Sequence, residues 1–411
     1  MFRINRHTLT NGLKVLHVKD TTTQMVAVNI LYNVGARDEN PRQTGFAHLF
    51  EHLMFSGSAH VPDFDLPLQE AGGENNAWTN NDITNYYISI PRQNVETAFW
   101  LESDRMLSLN LTSRSLDVQK QVVIEEFKQR YLNQPYGDMG HLIRSLAYQE
   151  HPYQWPTIGK EISHIENATL EDVQNFFFTH YVPNNAILAV TGNIEFEEVV
   201  HLAEKWFAPI PCRKKADRCI PHEPVRNQER RLIVEKNVPA NVLYMAYHMV
   251  ERTNPDYYAF DMLSDLLSNG DSSRLTQSLV KENPIFSNID AYISGSIEPG
   301  LFHITGKLAA DISLEEAEKA VVAELEKLKN SSVETYELEK VKNKFESEFI
   351  FNNLNYLNLA SNLAFFELIE NAEAINEEVD KYRAVTAGQI QQIAQKSFIP
   401  QNCSVLYYLS K

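Results

Sequence analysis

Residues 209–224 hold Pro209, Pro211, Pro221 and Pro224 among mixed charges, a composition that suits a connector between packed units. On both sides of it the same order of elements can be read. Ahead of it, a strand over 13–18 precedes a second over 25–34, where Val26, Val28, Ile30 and Tyr32 alternate. Helical segments at 44–55 and 63–70 lead to short strands at 75–79 and 85–90, the latter stopped by Pro91. Helical periodicity over 95–106, 116–131, 139–148 and 170–178 then ends in a strand at 186–190. Beyond the connector come strands at 232–234 and 242–247, helices at 257–267 and 274–280, and strands at 289–294 and 301–305. A long helical stretch, 314–397, and a strand at 404–409 close the chain. The repeat is one of element order, without useful residue identity. It predicts an α/β (α+β) protein of two similar domains, 1–210 and 222–411, each a mainly antiparallel sheet with helices packed on it.

Apolar residues make up 43% of the 411 and charged residues 22%, enough apolar surface to fill two cores. The balance of 37 basic against 54 acidic residues, a net −17, argues against nucleic acid or an anionic membrane as a partner. No apolar run is long enough to span a bilayer, and the segment Met1 to His7 lacks the apolar stretch of a signal peptide. Cys212, Cys219 and Cys403 are odd in number and have neither zinc-knuckle nor CxxC spacing. Free thiols and a cytoplasmic location are therefore expected.

The chemistry concentrates in His48-Leu49-Phe50-Glu51-His52. On a helix, positions i and i+4 lie one turn apart on one face, so both imidazoles can reach a single ion. Glu51, at i+3, lies on the same side and can face water at that ion without being a ligand. The order H-x-x-E-H inverts the H-E-x-x-H arrangement and keeps its mechanics: two nitrogen ligands, an activated water, and a carboxylate to take the proton. The alternative, ordinary core histidines, has to explain why two imidazoles and a carboxylate share a face among Phe46, Leu49, Phe50, Leu53 and Met54. Zinc needs a third protein ligand, and Glu125-Glu126 on a later helix offers one. Adjacent helical residues point about 100° apart, so only one of the two can serve, and spacing leaves the choice open.

With these residues in place the chain resembles the inverzincin metallopeptidases, the group of pitrilysin, insulin-degrading enzyme and mitochondrial processing peptidase. The resemblance runs through Asn11-Gly12-Leu13, Gly35-Ala36-Arg37-Asp38-Glu39, Gly45 to Gly57, Asn76-Ala77-Trp78-Thr79 and Thr84-Asn85-Tyr86-Tyr87. It continues through Glu102-Ser103-Asp104-Arg105-Met106, His151-Pro152-Tyr153, Pro183-Asn184-Asn185, Thr191-Gly192-Asn193 and Ser272-Ser273-Arg274-Leu275. It implies one zinc ion per chain on His48, His52 and Glu126, with Glu51 as the base, and a second domain that lacks the zinc motif. It also implies that Asn76, Ala77, Trp78 and Thr79 form an exposed sheet edge along which a peptide substrate lies as an added strand. The residue seven before the ligand glutamate is usually another glutamate in this group; here it is Gln119, which removes a negative charge near the metal. The length matches the short branch, in which two chains build what the long branch makes from one.

One departure changes the expectation. Active relatives carry an arginine and a tyrosine in the second half that stabilise the oxyanion. Val280 and Ser287 stand at those places, and the nearby Arg274 and Tyr292 are out of register and read as structural. The expected function is therefore a zinc endopeptidase subunit for oligopeptides and unfolded peptides, completed by a paralogous chain that supplies the pair. A homodimer using donors such as Tyr292 or Lys281 is the second arrangement. A non-catalytic peptide-binding or structural subunit is the alternative from another class.

Overall fold

A computed structural model describes residues 1–214 and 218–411 of the chain. They divide into two compact units.

The first unit comprises Met1–Gln129, Trp155–Ile220 and Ile350–Glu377. Its strands are β1 (Asn5–Thr8), β2 (Lys14–Lys19), β3 (Met25–Tyr32), β4 (Glu74–Thr79), β5 (Thr84–Pro91) and β6 (Ala186–Gly192). They form one sheet in the order β1-β2-β6-β3-β5-β4, antiparallel except for the β2–β6 pair. Val26, Val28, Ile30 and Tyr32 alternate along β3, and yet every residue from Val26 to Tyr32 is buried. The reason is the helix Tyr356–Ile369, apolar nearly all round, which packs on β3 and β6 and covers the other face. Polar groups trapped there pair with one another. Asn29 and Asn85 exchange amide hydrogen bonds of 2.9 and 2.8 Å, and the Ser361 hydroxyl donates to Asn29 Oδ1 at 3.0 Å.

The second unit comprises Arg130–Gln154, Pro221–Phe349 and Glu378–Lys411. Its strands β7 (Arg230–Lys236), β8 (Val242–His248), β9 (Phe286–Ile293), β10 (Leu301–Leu308) and β11 (Cys403–Ser410) run in the order β7-β11-β8-β10-β9. Only β7–β11 is parallel. This is the order of β2-β6-β3-β5-β4 in the first unit, so the repeat of elements is a repeat of topology. Side chains of β8 alternate between two cores. Leu243, Met245 and Tyr247 meet the helices Tyr257–Ser268, Leu314–Asn330 and Ala387–Ser397, while Val242, Tyr244 and Ala246 meet the helix Met139–Ala147.

Both sheets thus borrow a covering helix across the connector. Met139–Ala147 precedes the connector and packs in the second unit; Tyr356–Ile369 follows it and packs in the first. A division at 210–222 follows strand order and leaves these two exchanges out. An apolar helix face announces burial but not the sheet that will bury it. Among the described residues, no helix is long and apolar enough to cross a membrane. The helix Phe196–Trp206 and strand β1 are elements that the periodicity did not reveal.

Candidate metal centre

His48 and His52 lie on the helix Phe46–Leu53, whose start is fixed by its surroundings. Gly45, at its N-cap, has φ +90°, and a Cβ there would stand 2.7 Å from the Ile158 carbonyl oxygen, so the chain turns into the helix only through glycine. Glu39 accepts the Gly45 and Ala47 N–H groups at 2.9 Å each, holding free donors of the first turn. Burial pushes the Glu39 carboxyl up to about 8. Apolar Phe46, Leu49, Phe50 and Leu53 anchor the inner face, leaving the two imidazoles half-buried on the other. Their rings are 4.8 Å apart and nearly perpendicular, at 85°.

The helix Ser113–Phe127 packs against the histidine helix and brings the third donor. Glu126 Oε2 lies 3.6 Å from His48 Nε2 and 3.4 Å from His52 Nε2. Its neighbour Glu125 turns to solvent and pairs with Lys128 at 2.7 Å. The pair left open by spacing is therefore divided: Glu126 joins the histidines and Glu125 does not. One ligand atom from each of His48, His52 and Glu126 lies within 4.8 Å of the others, and among the described residues no other such metal-type cluster of histidine, cysteine or acidic groups occurs. Zinc bonds of about 2.0–2.1 Å in tetrahedral geometry separate two ligand atoms by about 3.4 Å, so the spacings to Glu126 fit that ion. Glu51 is half-buried on the same helix.

Gln119, two turns before Glu126, donates to the Ser56 hydroxyl at 3.1 Å, tying this helix to the turn that follows the histidine helix. Arg105 was among the resemblance landmarks without a role. It is buried, donates through Nε to Glu102 at 2.9 Å, and lies over the rings of Tyr86 and Phe64 at 4.4 and 4.6 Å. No short motif announces such an arrangement.

Asn76, Ala77, Trp78 and Thr79 lie on β4, the terminal strand of the sheet, paired on one side with β5 alone. The histidine helix packs beside this edge. Trp78 is 38% exposed. In the second unit Ser287 bonds the Lys307 carbonyl and Val280 packs on the core, so neither supplies a cationic or phenolic donor. Arg274 is paired with Glu337 at 2.8 and 2.6 Å, in keeping with a structural role. Lys281 is turned to Asp271, and Tyr292 bonds the Tyr244 hydroxyl at 2.8 Å.

Two family models match the chain: Insulinase (Peptidase family M16) over residues 14–161, and Peptidase M16 inactive domain over 167–345. A zinc protease of Helicobacter pylori named PqqE is 30% identical across 95% of this chain and 89% of its own length. The chain belongs to peptidase family M16. It is of the short, two-domain kind: a crystal structure of a Helicobacter pylori protease superposes with a TM-score of 0.93, at 29% identity, over 99% of this chain and 100% of that one. A probable mitochondrial-processing peptidase subunit beta of Arabidopsis thaliana is 25% identical over 78% of this chain and 62% of its own. Pitrilysin shares the fold at a TM-score of 0.80 and 17% identity, this chain spanning 45% of it. Zinc is thus the metal of the M16 relatives named as zinc proteases, and the protein carries the architecture of a peptidase family.

Proposed function

We propose that the chain is the zinc-bearing subunit of an endopeptidase that hydrolyses oligopeptides and unfolded peptides. The observation that carries this reading is the convergence of His48, His52 and Glu126 on one point, with Glu51 on the same helix. One zinc ion per chain, held by those three side chains, would supply Lewis-acid polarisation of the peptide carbonyl and of water. Glu51 takes a proton from the attacking water and delivers it to the departing amine, as one carboxylate can do in both directions. The free edge of β4, from Asn76 to Thr79, binds the peptide main chain as a further strand, which tolerates many side-chain sequences. Gln119 holds the glutamate helix against the turn after the histidine helix.

The missing arginine and tyrosine make the isolated chain a poor catalyst, because one lost oxyanion donor costs about 10²–10³ in turnover. A paralogous chain that supplies them, in a heterodimer, completes the site in this reading. A mitochondrial-processing peptidase relative named as a subunit gives the arrangement a precedent in the family. The free Cys212, Cys219 and Cys403 suit a reducing compartment, and a cytoplasmic site of action goes with it.

The second reading, a non-catalytic peptide-binding or structural subunit, draws on Val280 and Ser287. Metal analysis and peptide hydrolysis separate the two. Glu51→Gln should retain zinc and lose hydrolysis, and His48→Ala should lose both, measured alone and with a paralogous chain of the same organism. A purified chain without zinc, or full activity with Glu51 replaced, would refute the peptidase reading. Strong activity of the wild-type chain with no partner would refute the heterodimer.

A further inference from the structure

The second unit holds a cleft of about 380 Å³ among residues 222–226 of the connector, residues 148–151, and residues 396–402, which lead from the helix Ala387–Ser397 into β11. Tyr148, Pro224, Pro299 and Ile399 give it apolar walls. Hydrogen bonds fix them. The Tyr148 hydroxyl donates to the Pro299 carbonyl at 3.2 Å, and the Asn402 amide donates to the His248 and Ser397 carbonyls at 2.9 and 3.0 Å. Mostly apolar walls with a few fixed polar groups are the usual make-up of a small-molecule site of this size.

The charges in this cleft do not balance. Arg226 is half-buried, and its hydrogen bonds go to neutral acceptors, the Ser404 hydroxyl at 2.8 Å and the Asn402 carbonyl at 2.9 Å. Those use two of the five N–H groups of a guanidinium. Lys396, on the exposed rim, has no carboxylate partner among the described residues, and neither has Arg226. Glu223, the acid in the lining, is already engaged. Its carboxylate accepts the successive N–H groups of Gln149, Glu150 and His151 at 2.9, 3.0 and 3.2 Å, and Arg230 stands 3.6 Å from it. His248 donates through Nε2 to the Ala147 carbonyl at 3.1 Å, and burial together with the Arg226 charge holds its imidazole down to about 4. Burial and the Arg230 charge likewise lower the Arg226 guanidinium. A desolvated cation without a counter-charge is costly, and an anion entering the cleft relieves that cost.

We infer that this cleft binds a small organic carboxylate, with the carboxylate on Arg226 and Lys396 and an apolar body against Tyr148, Pro299 and Ile399. A guanidinium edge matches a carboxylate in two parallel hydrogen bonds, and the apolar walls favour an acid with a hydrocarbon body over a bare inorganic anion. Such a group comes either from a free acid or from the C-terminal residue of a peptide. The site uses no residue of the metal centre, so it stands whether or not the chain is a peptidase. Isothermal titration of the zinc-loaded chain with 3-phenylpropionate and with acetyl-glycyl-phenylalanine covers the two sources, and the corresponding amides are the neutral controls. At least one acid should bind one-to-one with a dissociation constant on the order of 0.1–1 mM. It should bind about tenfold more tightly than its amide, and the tighter of the two acids identifies the source. Arg226→Gln should weaken the acid about tenfold and leave its amide unchanged. Lys396→Met, on the exposed rim where folding is not at stake, should weaken the acid several-fold with zinc content unaltered. No saturable binding of either acid, or equal binding of acid and amide, would overturn the inference. So would acid binding that is unchanged in both variants, which would place the carboxylate on the zinc instead.

Discussion

Glu125 and Glu126 are chemically identical neighbours with different surroundings. Glu125 is paired at the surface with Lys128, an exposed contact of little energetic consequence, while Glu126 faces two imidazoles. Glu126→Gln should lower zinc affinity by about a hundredfold or more, and Glu125→Gln should leave it unchanged, as measured by competition with a chelator. Histidines elsewhere govern acid stability. His303 is 7% exposed, and burial, with the Arg144 charge adding, pushes its imidazole down to about 3. Burial, with Arg226 beside it, pushes His248 down to about 4. In the unfolded chain both titrate near 6.5. Between that pH and the folded values the unfolded chain binds protons that the folded chain excludes, so stability falls as pH falls. At pH 5 the loss from His303 is of the order of 2 kcal/mol. Glu39, whose carboxyl burial raises to about 8, adds stability as pH falls through the same range, so the histidine contribution is read by difference. His248→Gln, which keeps a donor for the Ala147 carbonyl, should lose less stability between pH 7 and pH 5 than the wild-type chain, measured as the change in thermal midpoint.

At the scale of elements, β4 matters for what it lacks among the described residues: a neighbour on its outer side. An unpaired edge offers main-chain donors and acceptors in register, and natural sheets protect such edges unless they are used. Recognition of this kind depends on the backbone of the ligand. N-methylation of alternate peptide nitrogens in a good substrate should reduce cleavage by at least tenfold, while exchanging exposed side chains at the same positions has a smaller effect, as followed by mass spectrometry of the products. The strands were legible where a run of β-branched residues met a turn, as in β3 and in β5 with its terminal Pro91. Their partners were not. Alternation along β3 shows one apolar face, but that Asn29 is also buried depends on Ser361 and its helix, more than 300 residues away in sequence.

For the whole molecule, each sheet is finished by a helix from across the connector. Residues 1–220 produced alone would keep all six strands of the first sheet yet lack Tyr356–Ile369, leaving the β3 and β6 face bare. Such a fragment should bind hydrophobic dye, aggregate, and melt without a cooperative transition; a peptide spanning 350–377 should reduce dye binding. The same economy extends to the site, which in the proposed heterodimer takes zinc from one chain and oxyanion donors from another.

The chain order by itself determined the histidine pair and the glutamate between them, because an i, i+4 spacing on a helix is local geometry and needs nothing distant to be read. It also determined the two-fold repeat of strands and helices, written in short-range periodicity. The resemblance to a known family implied the choice of Glu126 and the edge position of β4. Only the tertiary structure decided which glutamate faces the imidazoles, which sheet each borrowed helix covers, and how Glu39 holds the start of the histidine helix. Those depend on contacts between residues far apart in the chain, where packing and desolvation act and no sequence period reaches.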